Sequence, residues 1–469
     1  MKIISKDEIA AQYDCMAKVR EYNAGHSRHY LIRTFGCQQN EADSERLAGM
    51  ASEMGYLPTD KPEEADLILI NTCAVREHAE LRALSITGQF KHLKEKNPDL
   101  VIGICGCMVT QEHRMNDIKM RYPYVDFLIG TGMLYKFPEI LLAHLQNDKR
   151  LFFIDETEGN IAEGLPVRRE SKLKAWVRVM YGCNNFCTYC VVPYVRGRER
   201  SRRPEDILAE VRELVADGCR EITLLGQNVN SYGKDLGIDV DFADLVREIS
   251  DIDGDFILRF MTSHPKDASR KLIDTMAASE KCARQFHLPL QSGSARVLGA
   301  MNRRYTPESY AELIDYMREK MPDIAVSSDI IVGFPGETEE EFEETLDMLR
   351  RVRFDMIYSF IYSPRELTPA AKLDCQIPAE VKSSRMERLL AAQNEISLEK
   401  NLAAVGTVQR VLLEGVSKSS DEMLTGRADS NKLVHISRTP ETEALIGSFA
   451  DIKITRAETF ALFGEPCGN

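Results

Sequence analysis

The chain has no apolar run close to the roughly 18 residues needed to cross a bilayer; stretches such as Leu67 to Ile70 are only strand-sized. Its opening, MKIISKDEIAAQYD, is charged and lacks the apolar centre of a signal peptide. The expectation is a cytoplasmic protein with no membrane partner. There is no low-complexity tract and no repeat at a solenoid period, which sets aside fibrous and array architectures. Positive charge is not in excess: 60 Lys and Arg face 73 Asp and Glu, a net charge of −13. A uniformly basic nucleic-acid surface is therefore excluded, although a local basic groove is not. What is present is 469 residues, 43% hydrophobic and 28% charged. That is a soluble globular composition, too long for one core, so two to four domains are expected.

Twelve cysteines in a chain without an export signal do not read as a disulfide framework. In a reducing compartment, clustered thiols more often bind metal or do redox chemistry. Their positions follow the domain pattern. Residues 1–27 read as a polar, partly helical extension. From His29 strands and helices alternate: HYLIRTFGC, ADLILINTC and LVIGICGC are strands ending at Cys37, Cys73 and Cys107, and VDFLIG is a fourth. This predicts an open parallel α/β domain over residues 28–150. Residues 151–172, with Gly159, Gly164 and Pro166, read as a linker. The rhythm restarts at WVRVMYGC, and EITLLG, FILRFMT, QFHLPL, AVSSDIIVG and MIYSFIYS follow. Six such strands predict a (βα)6 barrel, closed or partial, over residues 173–402, with its site at the strands' carboxyl ends. Residues 403–466 have short strands, Gly and Asn turns and no long helix, which predicts a small all-β barrel.

In MYGCNNFCTYCVVPYVRGRERSR, Cys183, Cys187 and Cys190 form a CxxxCxxC loop behind a strand. Thiolates suit zinc and iron–sulfur clusters alike. A closed zinc site wants four protein ligands, and this loop supplies three. Three ligands to a four-iron cluster leave one iron open, where S-adenosylmethionine can be held by its amine and carboxylate. A low-potential electron can then cleave it to a 5′-deoxyadenosyl radical. A zinc loop with a distant fourth ligand and an electron-transfer cluster are the competing readings.

Cys37, Cys73 and Cys107 each close a strand, and parallel strands in an open sheet bring their carboxyl ends to one edge. They read either as a second ligand set or as three buried core thiols. Cys105, two residues before Cys107, leaves the third position open.

These segments resemble the radical methylthiotransferases. TFGCQQN, NTCAVRE and CGCM are similar to that family's amino-terminal motifs. GCNNFCTYCVVPYVRGRERSR, LLGQNVNSYG, HLPLQSGS, DIIVGFPGET and the GR…NK segment are similar to its tRNA-modifying MiaB branch. The resemblance runs from about residue 28 to 466 and implies a radical SAM barrel between the α/β domain and a TRAM barrel. It implies two [4Fe-4S] clusters, one on Cys183, Cys187 and Cys190 and an auxiliary one on Cys37, Cys73 and Cys107. It selects Cys107 over Cys105 because the family ligand is followed by Met.

The implied activity is methylthiolation of carbon 2 of N6-isopentenyladenosine at tRNA position 37. Two S-adenosylmethionine molecules are consumed, one as methyl donor and one as radical source. A flavodoxin- or ferredoxin-type electron donor, a sulfur or iron–sulfur supply protein and a monomeric enzyme are the further implications. Threonylcarbamoyl-adenosine or a ribosomal-protein aspartate as target, and a non-enzymatic metal–RNA protein, are the alternatives. Two positions depart from the family pattern: Glu366-Leu367 stands where relatives have Pro-Gly, and Gln39 where Met is frequent.

Candidate contacts complete the reading. Tyr189 in the loop and Gln227, Ser263 and Asp329 at strand ends are candidates for S-adenosylmethionine, or else buried polar residues satisfied by neighbours. Arg196, Arg198, Arg200, Arg202 and Arg203 abut the cluster loop and suit phosphate recognition. Arg427, Asn431 and Lys432 match the TRAM motif, which implies RNA contact. Residues 403–466 hold 7 basic and 9 acidic side chains, so charge alone does not reveal such a surface.

Overall fold

Runs of β-branched and other apolar residues bounded by polar helices make strands that are buried on both faces. In the computed structural model, which describes residues 2–75, 77–154 and 160–467, LILINT and VIGICG are of this kind, buried along their whole length. They are β3 (Leu67–Thr72) and β4 (Val101–Gly106) of a parallel six-stranded sheet. The others are β1 (His29–Thr34), β2 (Leu57–Pro58), β5 (Phe127–Ile129) and β6 (Leu151–Phe153), in the order β2-β1-β3-β4-β5-β6. Each face carries its own core. One gathers Leu47, Met50, Leu69, Phe127 and Phe137, the other Ile68, Ile70, Ile102, Leu128 and Phe90.

The open parallel domain is thus present with two strands more than the pattern predicts. Strands of two and three residues, such as β2 and β6, carry no readable periodicity. The predicted strand ends also shift: β1, β3 and β4 stop at Thr34, Thr72 and Gly106, so each cysteine lies in the turn beyond. The amino-terminal stretch is α1 (Lys6–Asn23), capped by a Ser5–Glu8 box. It buries Met16 and Val19 in the same core as α2 (Gln38–Glu53) and α3 (Phe137–Asn147). Ile3 pairs with Ile161, so the described part of the expected linker carries a strand. Gly159 of that stretch and Arg76 of NTCAVRE lie outside the described residues.

The chain divides into two compact units. The first is Met1–Ser171 with Met180–Phe186 and Cys190–Arg202; the second is Lys172–Val179, Cys187–Tyr189 and Arg203–Asn469. WVRVMYGC is consequently not one strand. β7 (Lys174–Arg178) belongs to the barrel, whereas Met180–Tyr181 pairs antiparallel with Arg200–Ser201 in the first unit.

In the second unit the barrel is partial and made of two parallel arcs. β7, β8 (Glu221–Leu225) and β9 (Ile257–Phe260) form one; β10 (Gln285–His287), β11 (Ala325–Val332) and β12 (Met356–Ile361) form the other. A bridge between Leu258 and Cys282 links them. α4 (Ala379–Leu402) leads into a closed five-stranded barrel: β13 (Val408–Ser417), β14 (Ser420–Ala428), β15 (Leu433–Ser437), β16 (Phe449–Ala457) and β17 (Leu462–Pro466), in the order β13-β14-β15-β17-β16. Its core is Val411, Leu413, Leu424, Val434, Ile436, Ile452 and Ile454. Arg259 of β9 pairs with Glu221 and donates to the Ala428 and Asp429 carbonyls, joining the two barrels. Among the described residues no helix is long and apolar enough to cross a membrane.

Candidate active site

β1, β3 and β4 are neighbours in the sheet, so the turns beyond them fall along one edge. Cys37 caps the start of α2, where its N–H and Sγ both lie 3.4 Å from Asn40 Oδ1. Asn40 is fully buried and donates to Asn71 Oδ1 and the Thr72 carbonyl, while Asn71 donates back to the Asn40 carbonyl and Ser44 Oγ. This amide network fixes the Cys37 turn against the end of β3. Cys73 Sγ accepts the Val75 N–H at 3.2 Å. Gly106, at φ +100°, turns the chain out of β4; a Cβ there would lie 2.4 Å from the Thr72 carbonyl oxygen. That turn breaks strand alternation, and so separates two cysteines expected on one face. Cys105 joins the core with Met50, Phe127 and Ile129, whereas Cys107 sits in a small cluster with Ala74, Val191 and Val195.

The Cys107 thiol lies close enough to the other two to feel their charge. Burial pushes the Cys107 thiol up to about 12; Arg196 opposes this, and Cys73 and Cys37 reinforce it. Arg196 Nε donates to Cys107 Sγ at 3.2 Å and its Nη2 to Asp43 at 3.0 Å, all three side chains being buried. Gln39, beside Cys37, is also buried with neither amide atom hydrogen-bonded. A set of convergent thiols with N–H donors on sulfur and an unpartnered amide alongside fits a cluster better than an apolar core. Among the described residues no three His, Cys, Asp or Glu are gathered as ligands of a single metal ion would be. A four-iron cluster binds each thiolate to a different iron, so its ligands stand farther apart.

The CxxxCxxC loop is held at its start and again at Cys187 and Thr188. Gly182 (φ +71°) has no room for a Cβ, which would meet the Arg198 carbonyl, and Cys183 N–H donates to the Gly197 carbonyl. In the second unit, Arg303 Nη1 donates to Cys187 Sγ at 3.4 Å and its Nη2 to the Pro289 carbonyl. Thr188 bonds the carbonyls of Met301 and Ala300, and Ala370 N–H donates to the Thr188 carbonyl. Tyr189 packs beside Val297, Phe334 and Tyr362. At the strand ends, Ser263 Oγ and Gln227 Oε1 are buried atoms without hydrogen-bond partners, and Asp329 lies 3.6 Å from His287 Nε2.

The arginine run does not stand as one solvated face. Arg196, Arg200 and Arg202 are buried struts: Arg196 pairs with Asp43, Arg200 donates to the Arg196 and Arg198 carbonyls, and Arg202 pairs with Glu163. Arg198 and Arg203 remain exposed. In the small barrel, Arg427 donates to the Asn431 carbonyl across the β14–β15 turn, and Lys432 pairs with Asp355. These three hold the hairpin and its attachment before they hold anything else. The Glu366-Leu367 departure falls at the centre of a turn closed by Thr368 N–H on the Arg365 carbonyl, and neither residue has positive φ. Sequence reading missed Asp43, Asn40, Asn71 and Arg303, because each acts through a partner distant in the chain.

Comparison with known proteins decides the family. A tRNA-2-methylthio-N(6)-dimethylallyladenosine synthase of Thermoanaerobacter sp. (strain X514) is 51% identical over 462 residues, 98% of both chains. The chain belongs to this synthase family. The synthase of Acetivibrio thermocellus is 51% identical over 98% of this chain and 97% of its own. Residues 177–349 match the Radical SAM superfamily, residues 29–130 the uncharacterized protein family UPF0004, and residues 403–467 the TRAM domain. Among solved structures, the radical S-adenosylmethionine methyltransferase TsrM of Kitasatospora setae, with cobalamin and a [4Fe-4S] cluster bound, aligns with a TM-score of 0.53. At 15% identity over 82% of this chain and 80% of that one, the likeness is one of fold.

Proposed function

We propose that this chain is the radical enzyme that methylthiolates carbon 2 of N6-isopentenyladenosine at tRNA position 37, using two S-adenosylmethionine molecules per turnover. The observation that carries this reading is the edge where Cys37, Cys73 and Cys107 meet the segment following Cys190, with Arg196 on the Cys107 sulfur. Cys183, Cys187 and Cys190 hold one [4Fe-4S] cluster, and Cys37, Cys73 and Cys107 hold the auxiliary one. When bound, these groups supply the electron that cleaves S-adenosylmethionine to a 5′-deoxyadenosyl radical, and the sulfur that the product gains.

The chain's own residues do the rest. Asn40 and Arg196 fix two of the auxiliary thiols, and Arg303 fixes Cys187. Tyr189, Gln227, Ser263 and Asp329 orient S-adenosylmethionine, with apolar neighbours of Tyr189 excluding water. Arg198 and Arg203 meet RNA phosphates. In this assignment residues 28–150 carry the auxiliary cluster, 173–402 the radical chemistry and 403–466 a grip on RNA. The enzyme works in the cytoplasm as a monomer, fed by a flavodoxin- or ferredoxin-type electron donor and a sulfur supply protein.

Mass analysis of tRNA nucleosides after anaerobic incubation with S-adenosylmethionine and reductant tests the reading. A methylthio mass gain confined to isopentenyladenosine is the expected result. A gain on threonylcarbamoyl-adenosine, or no cleavage of S-adenosylmethionine with both clusters present, would overturn it.

A further inference from the structure

The parallel sheet of the first unit is unfinished along β1. Among the described residues, β2 pairs with β1 only at His29 and Tyr30, with the Thr59 N–H on the Tyr30 carbonyl just beyond. Leu31 to Thr34 are held by β3 alone. A parallel strand aims the N–H and C=O of alternate residues at alternate neighbours. His29 and Phe35 bond on the β3 side, at Asp66 and Asn71, so Ile32 and Thr34 follow Tyr30 toward the bare edge. Such an edge is a template for another strand. Beside it lies a cavity of about 750 Å³, lined by α2 on one side and by the helix Glu77–Gln89 on the other. That is the place a further strand of this sheet would take.

Strand alternation sorts the side chains of the cavity onto two walls. Ile32 packs with Ala48 in one core, and Thr34 bonds Ser44 Oγ of α2 at 2.7 Å. Leu31 and Phe35 join Ile86 and Phe90 in the other core, and Arg33 lies between them on the same face. Arg33 donates to the Asp60 carbonyl at 3.2 Å, and Arg82 rests over the Phe35 ring at 5.9 Å. Neither guanidinium meets a carboxylate among the described residues.

The α2 wall carries the opposite sign. Glu45 is taken by Arg169 and by the Glu170 N–H, which leaves the Glu41 and Glu170 carboxylates at the Thr34 end of the slot. Burial, and then the Glu170 and Glu45 charges, push the Glu41 carboxyl up, and no cation pairs with it among the described residues. Arg168 stands at the other end, on the Tyr30 hydroxyl at 2.9 Å. A cationic face and an anionic face thus look at each other across a bare strand edge.

We propose that the open edge of β1 takes an extended peptide of a partner protein as an added strand, with acidic side chains toward Arg33 and Arg82 and alternate basic ones toward Glu41 and Glu170. An extended peptide supplies the N–H and C=O ladder that Ile32 and Thr34 lack, and its period of two sends successive side chains to the two walls. An RNA strand has no such ladder, and its phosphates would be repelled by Glu41 and Glu170. The β1 edge of a second copy is itself recessed between two helices. The inference goes beyond the reaction proposed above, in which Arg33, Arg82, Glu41 and Glu170 have no part. β1 ends at Thr34 and Cys37 caps α2, so the guest strand lies beside the Cys37 turn.

The test uses anaerobically prepared, full-length holoenzyme and fluorescein-labelled hexapeptides read by anisotropy. One peptide alternates glutamate and lysine, a second has the same composition in two blocks, and a third is the alternating peptide with every second amide N-methylated. The alternating peptide is expected to bind about tenfold tighter than the block isomer, and N-methylation to weaken it at least as much by removing ladder bonds. Arg33→Glu with Arg82→Glu should weaken it about tenfold at unchanged Tm, the sum of two exposed ion pairs. Amide exchange at Thr34 should slow when the alternating peptide is bound. Failure of that peptide to bind, equal binding of the block isomer, or binding that survives N-methylation overturns the inference. So does a labelled hexauridine strand that binds in its place, which makes the slot an RNA contact. Protection of Thr34 that grows with enzyme concentration alone makes it a contact between copies and overturns it too.

Discussion

Arg196 Nε stands 3.2 Å from Cys107 Sγ, across 89 residues of sequence, and the same guanidinium holds the buried Asp43 carboxylate at 3.0 Å. One planar side chain thus ties a sheet-edge thiol, the α2 helix and the stretch after Cys190. Because the guanidinium fork serves two partners in different directions, Lys can replace it only in part. Arg196→Met is expected to take from the buried Asp43 carboxylate its guanidinium partner, lowering stability by about 3 kcal/mol. It should also cut the iron and sulfide bound on anaerobic reconstitution to about half, with Arg196→Lys intermediate. Full iron content in both variants would show that Arg196 plays no part in holding the site.

The two cysteines of CGC have opposite fates because Gly106 turns the chain between them. Cys105→Ala should retain all bound iron and lose about 1 kcal/mol, the transfer and small-cavity cost of one core sulfur. Cys107→Ala should lose about half the iron, and the auxiliary cluster's spectroscopic signal with it. Gly106→Ala should resemble Cys107→Ala, since its Cβ collides with the Thr72 carbonyl. Iron loss on Cys105→Ala instead would exchange the two assignments.

How far the sequence could be read depended on range. The three-part architecture and six barrel strands were legible because strand and helix periods are local. The six cysteines stood out because three fall within eight residues, three follow strands, and their motifs resemble a family. The arginine run misled in part: Arg196, Arg200 and Arg202 turn inward to Asp43, backbone carbonyls and Glu163, and composition carries no sign of those partners. The WVRVMYGC strand misled for the same reason, since its split depends on Arg200–Ser201 pairing back to Met180–Tyr181. Orphaned atoms such as Ser263 Oγ and Gln227 Oε1 are invisible in a sequence, because being unpaired is a property of the whole surroundings.

Acid should destabilise the second unit through His264 before it reaches the carboxylates. The folded imidazole titrates at about 2 and the unfolded one near 6.5, so the unfolded chain binds the extra proton between those values. Stability is therefore full above about pH 6.5 and falls as pH drops, by up to about 1.4 kcal/mol per pH unit. Asp267 adds to this lower down: burial opposes its ionisation, but bonds from Lys234, Lys266 and Asn228 hold it at about 2, so its share is lost from about pH 4 downward. Urea unfolding of wild type and His264→Phe at pH 7.5 and 5.5 checks the first step. The variant should lose less stability between the two pH values; parallel losses would remove His264 as the cause.

Arg198 and Arg203 are the members of the run left at the surface, and Arg198 rests over the Phe186 ring at 4.5 Å, which holds its guanidinium in place. If both meet phosphates, Arg198→Ala with Arg203→Ala should weaken tRNA binding about equally for modified and unmodified tRNA. It should also reduce the slope of log affinity against log salt by somewhat under two, because each lost contact releases fewer counterions. Tm should hardly move. Arg202→Ala should do the reverse, lowering Tm by freeing Glu163 while leaving the salt slope intact. The pair of slopes, measured by filter binding between about 50 and 200 mM salt, separates surface arginines from internal ones. A salt slope unaltered by the double substitution would place the RNA contact elsewhere on the protein.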